Sequence, residues 1–147
     1  MDFVQNVAEV LATFCCSLFA GAAVYITLVE HPARIACGPE VAATEFPPSY
    51  RRAALMQASL AIVGFVFSVA AWLRGASAWV AIGGTLLGLV VPFTLLVIMP
   101  VNKRLLDPTL DKRSGEAAQL LSRWGRLHAV RSALSVLALL VFLASRR

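Results

Sequence analysis

Charge is scarce in this chain. Charged residues fill 14% of its 147 positions, against roughly 25% in an average soluble domain. Hydrophobic residues fill 59%, and the mean hydropathy is +0.78. A water-soluble enzyme and a disordered tail are both excluded. Cysteine is scarce too. Cys15 and Cys16 adjoin inside an apolar run and Cys37 stands alone, with an odd count and no C-x-x-C spacing. That excludes a secreted disulfide scaffold and leaves two apolar fillers and one loop thiol. The net charge of +5 does not point to nucleic acid, because the basic residues flank apolar runs instead of forming a stripe. There is no internal repeat and no low-complexity tract. What remains is an integral membrane protein, with membrane lipid as its first partner.

A helix crossing the hydrocarbon core needs roughly 20 apolar residues. Val10 to Val29 is the first run without a formal charge, and Ala53 to Leu73 is the second. The third lies between Arg74 and Lys103, with Met99-Pro100 read as its end. The first run lacks the basic leading residues of a secretory signal, having only Asp2 and Glu9 before and at its edge, so it reads as a retained helix. The fourth charge-free run, Ser132 to Ser145, would span only about 21 Å. To cross, its helix must take in Trp124 to Arg131 and draw His128 and Arg131 to the membrane boundary. Ionisable groups there face the bundle interior and mark function by default.

The expected fold is therefore all-α: a four-transmembrane-helix up-down bundle, one membrane domain over 1–147, with helices near 5–29, 51–73, 77–100 and 115–145. Ser114 reads as the N-cap of the last helix. Pro92 should kink the third, with Thr94 near the carbonyl it frees. Gly84-x-x-x-Gly88 is a small-residue packing pattern, read as packing within the bundle ahead of a homo-oligomer seam. Trp72 and Trp79 read as interface anchors. Lys and Arg concentrate between helices 1 and 2 (Arg34, Arg51, Arg52) and between helices 3 and 4 (Lys103, Arg104, Lys112, Arg113, Arg123, Arg126). Arg74, Arg146 and Arg147 alone fall on the other side. This bias puts loops 1 and 3 in the cytoplasm and both termini outside.

A polar cluster should gather at the cytoplasmic ends. Trp124, His128 and Arg131 share one helical stripe, continued by Ser135. Helix 1 brings Glu30, His31 and Arg34, helix 2 brings Tyr50 and Gln57, and helix 3 brings Asn102. Arg131 needs an acceptor, and Glu30 or a carbonyl freed near Pro32 is the expected partner. His31 precedes Pro32, which should bias it away from helical geometry and loosen it. His128, on a regular helix, is thus preferred to His31 as a general base. Arg34 and Arg131 suit an oxyanion, and Trp124 and Tyr50 could stack on substrate rings.

Four segments carry a family resemblance: Glu30-His31-Pro32-Ala33-Arg34; Pro48-Ser49-Tyr50-Arg51-Arg52 with Met56-Gln57-Ala58; Pro92-Phe93-Thr94 through Ile98-Met99-Pro100-Val101-Asn102; and Trp124-Gly125-Arg126-Leu127-His128-Ala129-Val130-Arg131. In this order they resemble the anthrone oxygenase-like family of small four-helix membrane proteins. Some relatives have Asn-Trp-Pro-Tyr where this chain has Val90-Val91-Pro92-Phe93. The resemblance implies oxidation of an anthrone-like or phenolic apolar substrate by dioxygen, with no metal or flavin, in a bacterial inner membrane. Its residues would be His128 and His31 as proton acceptors, with Arg34, Tyr50, Gln57, Asn102, Trp124 and Arg131 around the substrate.

Other classes stay open. His31 and His128 on separate helices could ligate copper, iron or a b-type haem, although no H-x-x-H or E-x-x-H spacing occurs. A proton-coupled carrier wants a carboxylate at mid-depth, and only Glu9 lies in a helix, near its start. A non-catalytic accessory subunit of a larger membrane complex is the principal alternative.

Overall fold

The computed structural model describes residues 3–145; Arg146 and Arg147, counted above for topology, lie outside the described residues. Four long helices make an up-down bundle: α1 (Phe3–Ala36), α2 (Pro39–Leu73), α3 (Ala78–Leu105) and α4 (Gly115–Ala144). Each packs on its chain neighbours, and α4 closes the ring on α1. All four are long and apolar enough to cross a membrane. At 1.5 Å per residue, the 35 residues of α2 reach roughly 52 Å, well beyond a core about 30 Å thick. The surplus projects at the end carrying the α1–α2 and α3–α4 connections, called the basic end below.

That projection corrects three expected boundaries. Helix 2 was expected near residue 51 and starts at Pro39. Loop 1 shrinks to Cys37–Gly38, where Gly38 takes φ +91°, a left-handed conformation that costs glycine nothing. Pro47 and Pro48 lie inside α2, although interior proline usually costs about 3 kcal/mol or more. The added turns bury Ala42, Ala43 and Phe46 completely in a cluster with Ile98, Val101, Leu121 and Trp124. A fully buried phenylalanine alone contributes about 1.5–3 kcal/mol.

Helix 1 was expected to stop near 29 and helix 3 near 100. Both continue, to Ala36 and Leu105. Each passes its prolines through one wider π-helical turn, Ile26–Glu30 before Pro32 and Thr94–Ile98 between Pro92 and Pro100. Such a turn absorbs a missing N–H without ending the helix. His31 therefore has helical angles, φ −65° and ψ −46°, and is not loosened by Pro32. The Thr94 hydroxyl donates to the Val90 carbonyl at 2.7 Å. Helix 4 begins where its cap indicates, with Ser114 Oγ accepting from the Ala117 N–H at 3.2 Å.

The core has two apolar parts. Away from the basic end, Ala12, Cys16, Phe19, Leu87, Val90 and Phe142 form one cluster. Cys15 and Cys16 are buried and Cys37 is exposed, as fillers and a loop thiol should be. Gly84 lies against Ser68 and Gly88 against Phe65, so both glycines of the small-residue pattern face α2 of the same chain. Trp72 and Trp79, both exposed, flank the α2–α3 turn. The second cluster, around Phe46 and Trp124, fills the basic end. Along α2 and α4, the buried polar residues Gln57, His128, Ser132 and Ser135 fall between the two.

Candidate functional site

The site grows from the stripe on α4. Trp124 is its hub. The indole N–H donates to Asn102 Oδ1 at 2.9 Å, which fixes the ring against α3. Around that ring lie His128, stacked at 4.7 Å, and His31, tilted at 5.2 Å. The Phe46 edge meets it at 5.3 Å, and the Arg34 guanidinium sits 5.9 Å from its centroid. Both histidines thus share one aromatic neighbour. Asn102, fully buried, is committed to holding Trp124.

One turn further into the bundle, His128 is 2% exposed. Its Nδ1 lies 3.0 Å from Thr27 Oγ1, and the same hydroxyl is 2.7 Å from Ser132 Oγ. Ser132 in turn donates to the Ala23 carbonyl at 2.9 Å. A chain of three side chains therefore crosses the α1–α4 seam. Thr27 and Ser132 were not singled out from sequence. Thr27, His31 and Arg34 stand at i, i+4 and i+7, the same spacing as Trp124, His128 and Arg131, and that match was the available signal.

The expected Arg131–Glu30 pair does not form. Glu30 pairs with Arg34 one turn along its own helix, and Ser49 Oγ donates to the same carboxylate at 2.9 Å. Glu45 adds a second carboxylate 2.9 Å from Arg34 Nε. Arg131 instead donates to Gln57 Oε1 at 2.6 Å and lies 5.4 Å over the Phe19 ring. A local i,i+4 partner costs less chain ordering than one across the bundle, so Glu30 is already engaged. A neutral amide oxygen is left as the acceptor for Arg131. Tyr50 stacks on Phe46, 5.6 Å between centroids.

Arg34, Tyr50, Gln57, Trp124, His128 and Arg131 all border one small cavity of about 20 Å³. This is room for about one water-sized guest, far too little for a fused aromatic. Asn102 stands behind Trp124, outside that lining. His31 faces a larger space. On the α1–α4 seam a groove of about 460 Å³ is walled by Thr27, His31, Ile35, Leu121, Gly125 and Ala129, among others. A second groove of about 400 Å³ continues past Thr27 along Leu28, Ser132, Val136 and Leu140. Volumes of about 300–1,000 Å³ are those of small-molecule sites. Arg126 is exposed, bonds Ser122 at 3.1 Å and borders the rim of the first groove. Among the described residues, no three His, Cys, Asp or Glu side chains come together as a metal set.

A family model described as anthrone oxygenase matches residues 46–141. The match takes in Tyr50, Gln57, Asn102, Trp124, His128 and Arg131 and leaves out α1. No curated protein and no solved structure matches the chain.

Proposed function

The chain belongs to the anthrone oxygenase family, and from that premise we propose that it oxidises a flat, weakly acidic aromatic substrate with dioxygen in the α1–α4 groove. The observation that carries this reading is the groove of about 460 Å³ on the seam, with the His31 imidazole and the Thr27 hydroxyl on its wall. An apolar tricycle dissolved in the bilayer reaches such a groove sideways, without crossing water.

The chemistry asks little of the protein. One anthrone and one dioxygen give one anthraquinone and one water. One oxygen atom becomes the new carbonyl on the methylene carbon, and the other leaves as water with both methylene hydrogens. Removing the first proton gives an electron-rich enolate that itself reduces dioxygen. Removing the second lets the peroxide collapse to the ketone. Two proton transfers call for two acceptors, and two imidazoles flank Trp124. His31 borders the groove and takes the first proton; His128, whose ring packs on the same indole, serves the second. In this reading His31, on the groove wall, acts before the more deeply buried His128. We place the basic end in the cytoplasm of a bacterial inner membrane, because most Lys and Arg residues gather there.

Oxygen uptake by the purified protein in nanodiscs, with an anthrone and a panel of phenols and quinols, tests this. Wild type should exceed empty nanodiscs, and His31→Ala and His128→Ala should each lose roughly 10²–10⁴-fold, as general-base deletions do. Uptake by wild type no faster than the autoxidation blank overturns the reading.

A further inference from the structure

The small cavity at the centre of the polar layer has a charge pattern of its own. Arg34 is answered twice, by Glu30 and by Glu45. Arg131 has no carboxylate within ion-pair distance among the described residues; its acceptor is the neutral Gln57 Oε1. Half-burying a guanidinium against a neutral acceptor is expensive in a medium without water. Donor atoms are also left over. Gln57 is 2% exposed, yet its Nε2 has no hydrogen-bond partner, and neither has Arg131 Nε. Both residues border the cavity of about 20 Å³, together with Tyr50, His128 and Trp124. Glu30 borders it as well, but its charge is committed to Arg34 and Ser49.

A guest here must be one or two heavy atoms in size. Two of the residues around it carry an unneutralised cation and an amide N–H pair to which the protein itself offers no acceptor. A water could accept one of those bonds, but it would leave the Arg131 charge standing. The geometry points to this cavity, closed in by Gln57 and Arg131, as a binding site for a single small monovalent anion. Two sources share that chemistry: a halide from solvent, and the one-electron-reduced dioxygen made when an enolate gives up an electron. The site itself does not depend on the proposed oxygenase activity; only the second source does.

Trp124 lines the cavity, and the sequence has only three tryptophans. Trp72→Phe and Trp79→Phe, both at the far end of the bundle, leave Trp124 as the only indole to report. In that background, bromide at constant ionic strength should quench fluorescence with a saturable phase. Gln57→Glu, which gives Arg131 a built-in carboxylate of the same shape, should abolish that phase. Chloride in place of gluconate should raise the unfolding temperature of wild type but not of Gln57→Glu, because a ligand held only by the folded state stabilises it. Purely linear quenching, the same in both proteins, together with no chloride-dependent shift, overturns the proposal. Where wild type turns over, bromide inhibition of oxygen uptake competitive with dioxygen assigns the site to the reduced oxygen species. Saturable quenching without such inhibition assigns it to solvent anions. Absence of all oxygen uptake sinks the oxygenase reading and leaves the quenching result standing.

Discussion

Gly125 of α4 leaves the space in which the His31 ring of α1 lies; a methyl group at residue 125 would overlap the imidazole. The close approach lets His31 pack on Trp124 while it borders the groove. Gly125→Ala should therefore push the ring out of place. Overpacking costs about 1–3 kcal/mol, and the gain in helix propensity returns up to about 1 kcal/mol, so a net loss of stability remains. Gly21, also on α1, has open space where its Cβ would go, so Gly21→Ala should be neutral or stabilising. Unfolding in mild detergent compares the two. Equal effects would show that the His31 ring does not depend on residue 125.

The Gln57–Arg131 bond predicts an order of damage. Gln57→Leu takes the acceptor from a half-buried cation, a loss approaching the roughly 3–5 kcal/mol seen when a fully buried charge is left unpaired. Arg131→Leu leaves only a neutral amide oxygen unpaired, costing about 1–3 kcal/mol, and its new side chain can pack on Phe19. The double substitution should be milder than Gln57→Leu alone. Equilibrium unfolding of the three variants decides this, and the opposite order would mean that Arg131 has another acceptor.

How much of this was legible differs between elements. Helix 4 was read well because its cap and its stripe are local: Ser114 and Ala117 are three residues apart, and Trp124, His128 and Arg131 follow one face. Pro32 and Pro100 misled because they were read as limits of helices 1 and 3; Pro92 was read as a kink within its helix. The π-helical turns at Ile26–Glu30 and Thr94–Ile98, and the burial of Phe46 beyond Pro47 and Pro48, depend on neighbours that a linear reading does not supply. Ala42, Ala43, Phe46 and Tyr50 do repeat at helical spacing, a signal available in advance. The Arg131 partner was missed because only acceptors on helix 1, Glu30 and a carbonyl near Pro32, were weighed, and the side-chain amide of Gln57 on helix 2 was not. Thr27 was missed although it shares the i, i+4, i+7 stripe with His31 and Arg34, because a hydroxyl in an apolar run was not counted with the charged and aromatic cluster.

The α3–α4 connection should be sensitive to acid. The Thr109 hydroxyl and N–H donate to Asp107 Oδ1 at 2.7 and 2.8 Å, and Arg104 reaches its other oxygen at 2.9 Å. The hydrogen bonds from Thr109, and then Arg104, hold the Asp107 carboxyl below its ordinary value. Its folded value is the lower one, so its support is complete above the ordinary carboxylate range and is lost as pH falls through the depressed value. Hydrogen exchange at Thr109 should accelerate, relative to the intrinsic rate, as acid is added. Asp107→Asn should remove that added acid sensitivity.

Cys37 offers a test of orientation with no engineered label site. It is exposed in the α1–α2 turn, and Cys15 and Cys16 are buried. With the basic end in the cytoplasm, a membrane-impermeant maleimide should label inverted vesicles and spare intact cells. Labelling of intact cells would invert the topology.

Thr27 should act as a positioning residue for His128. Its hydroxyl lies 3.0 Å from Nδ1 and 2.7 Å from Ser132 Oγ; with the Ser132 hydrogen given to the Ala23 carbonyl, Thr27 donates to Ser132 and accepts from Nδ1–H, which leaves Nε2 as the base nitrogen. Thr27→Val keeps the shape and removes the hydroxyl, so stability should fall by only about 1–3 kcal/mol, the cost of leaving buried partners unpaired. The rate should fall much further. With an anthrone substrate, kcat is expected to drop by roughly 10-fold or more, within the scale of proton-transfer effects, while KM stays near wild type because the groove wall is unchanged. Thr27→Ser restores the hydroxyl and should recover most of kcat. A purely structural Thr27 would show a loss in Thr27→Val that tracks unfolding and is shared by Thr27→Ser, whose missing methyl group loosens the same seam. Steady-state oxygen uptake by folded, monodisperse protein separates the two outcomes: rescue by serine supports the positioning role, and equal kcat in wild type and Thr27→Val removes Thr27 from the reaction.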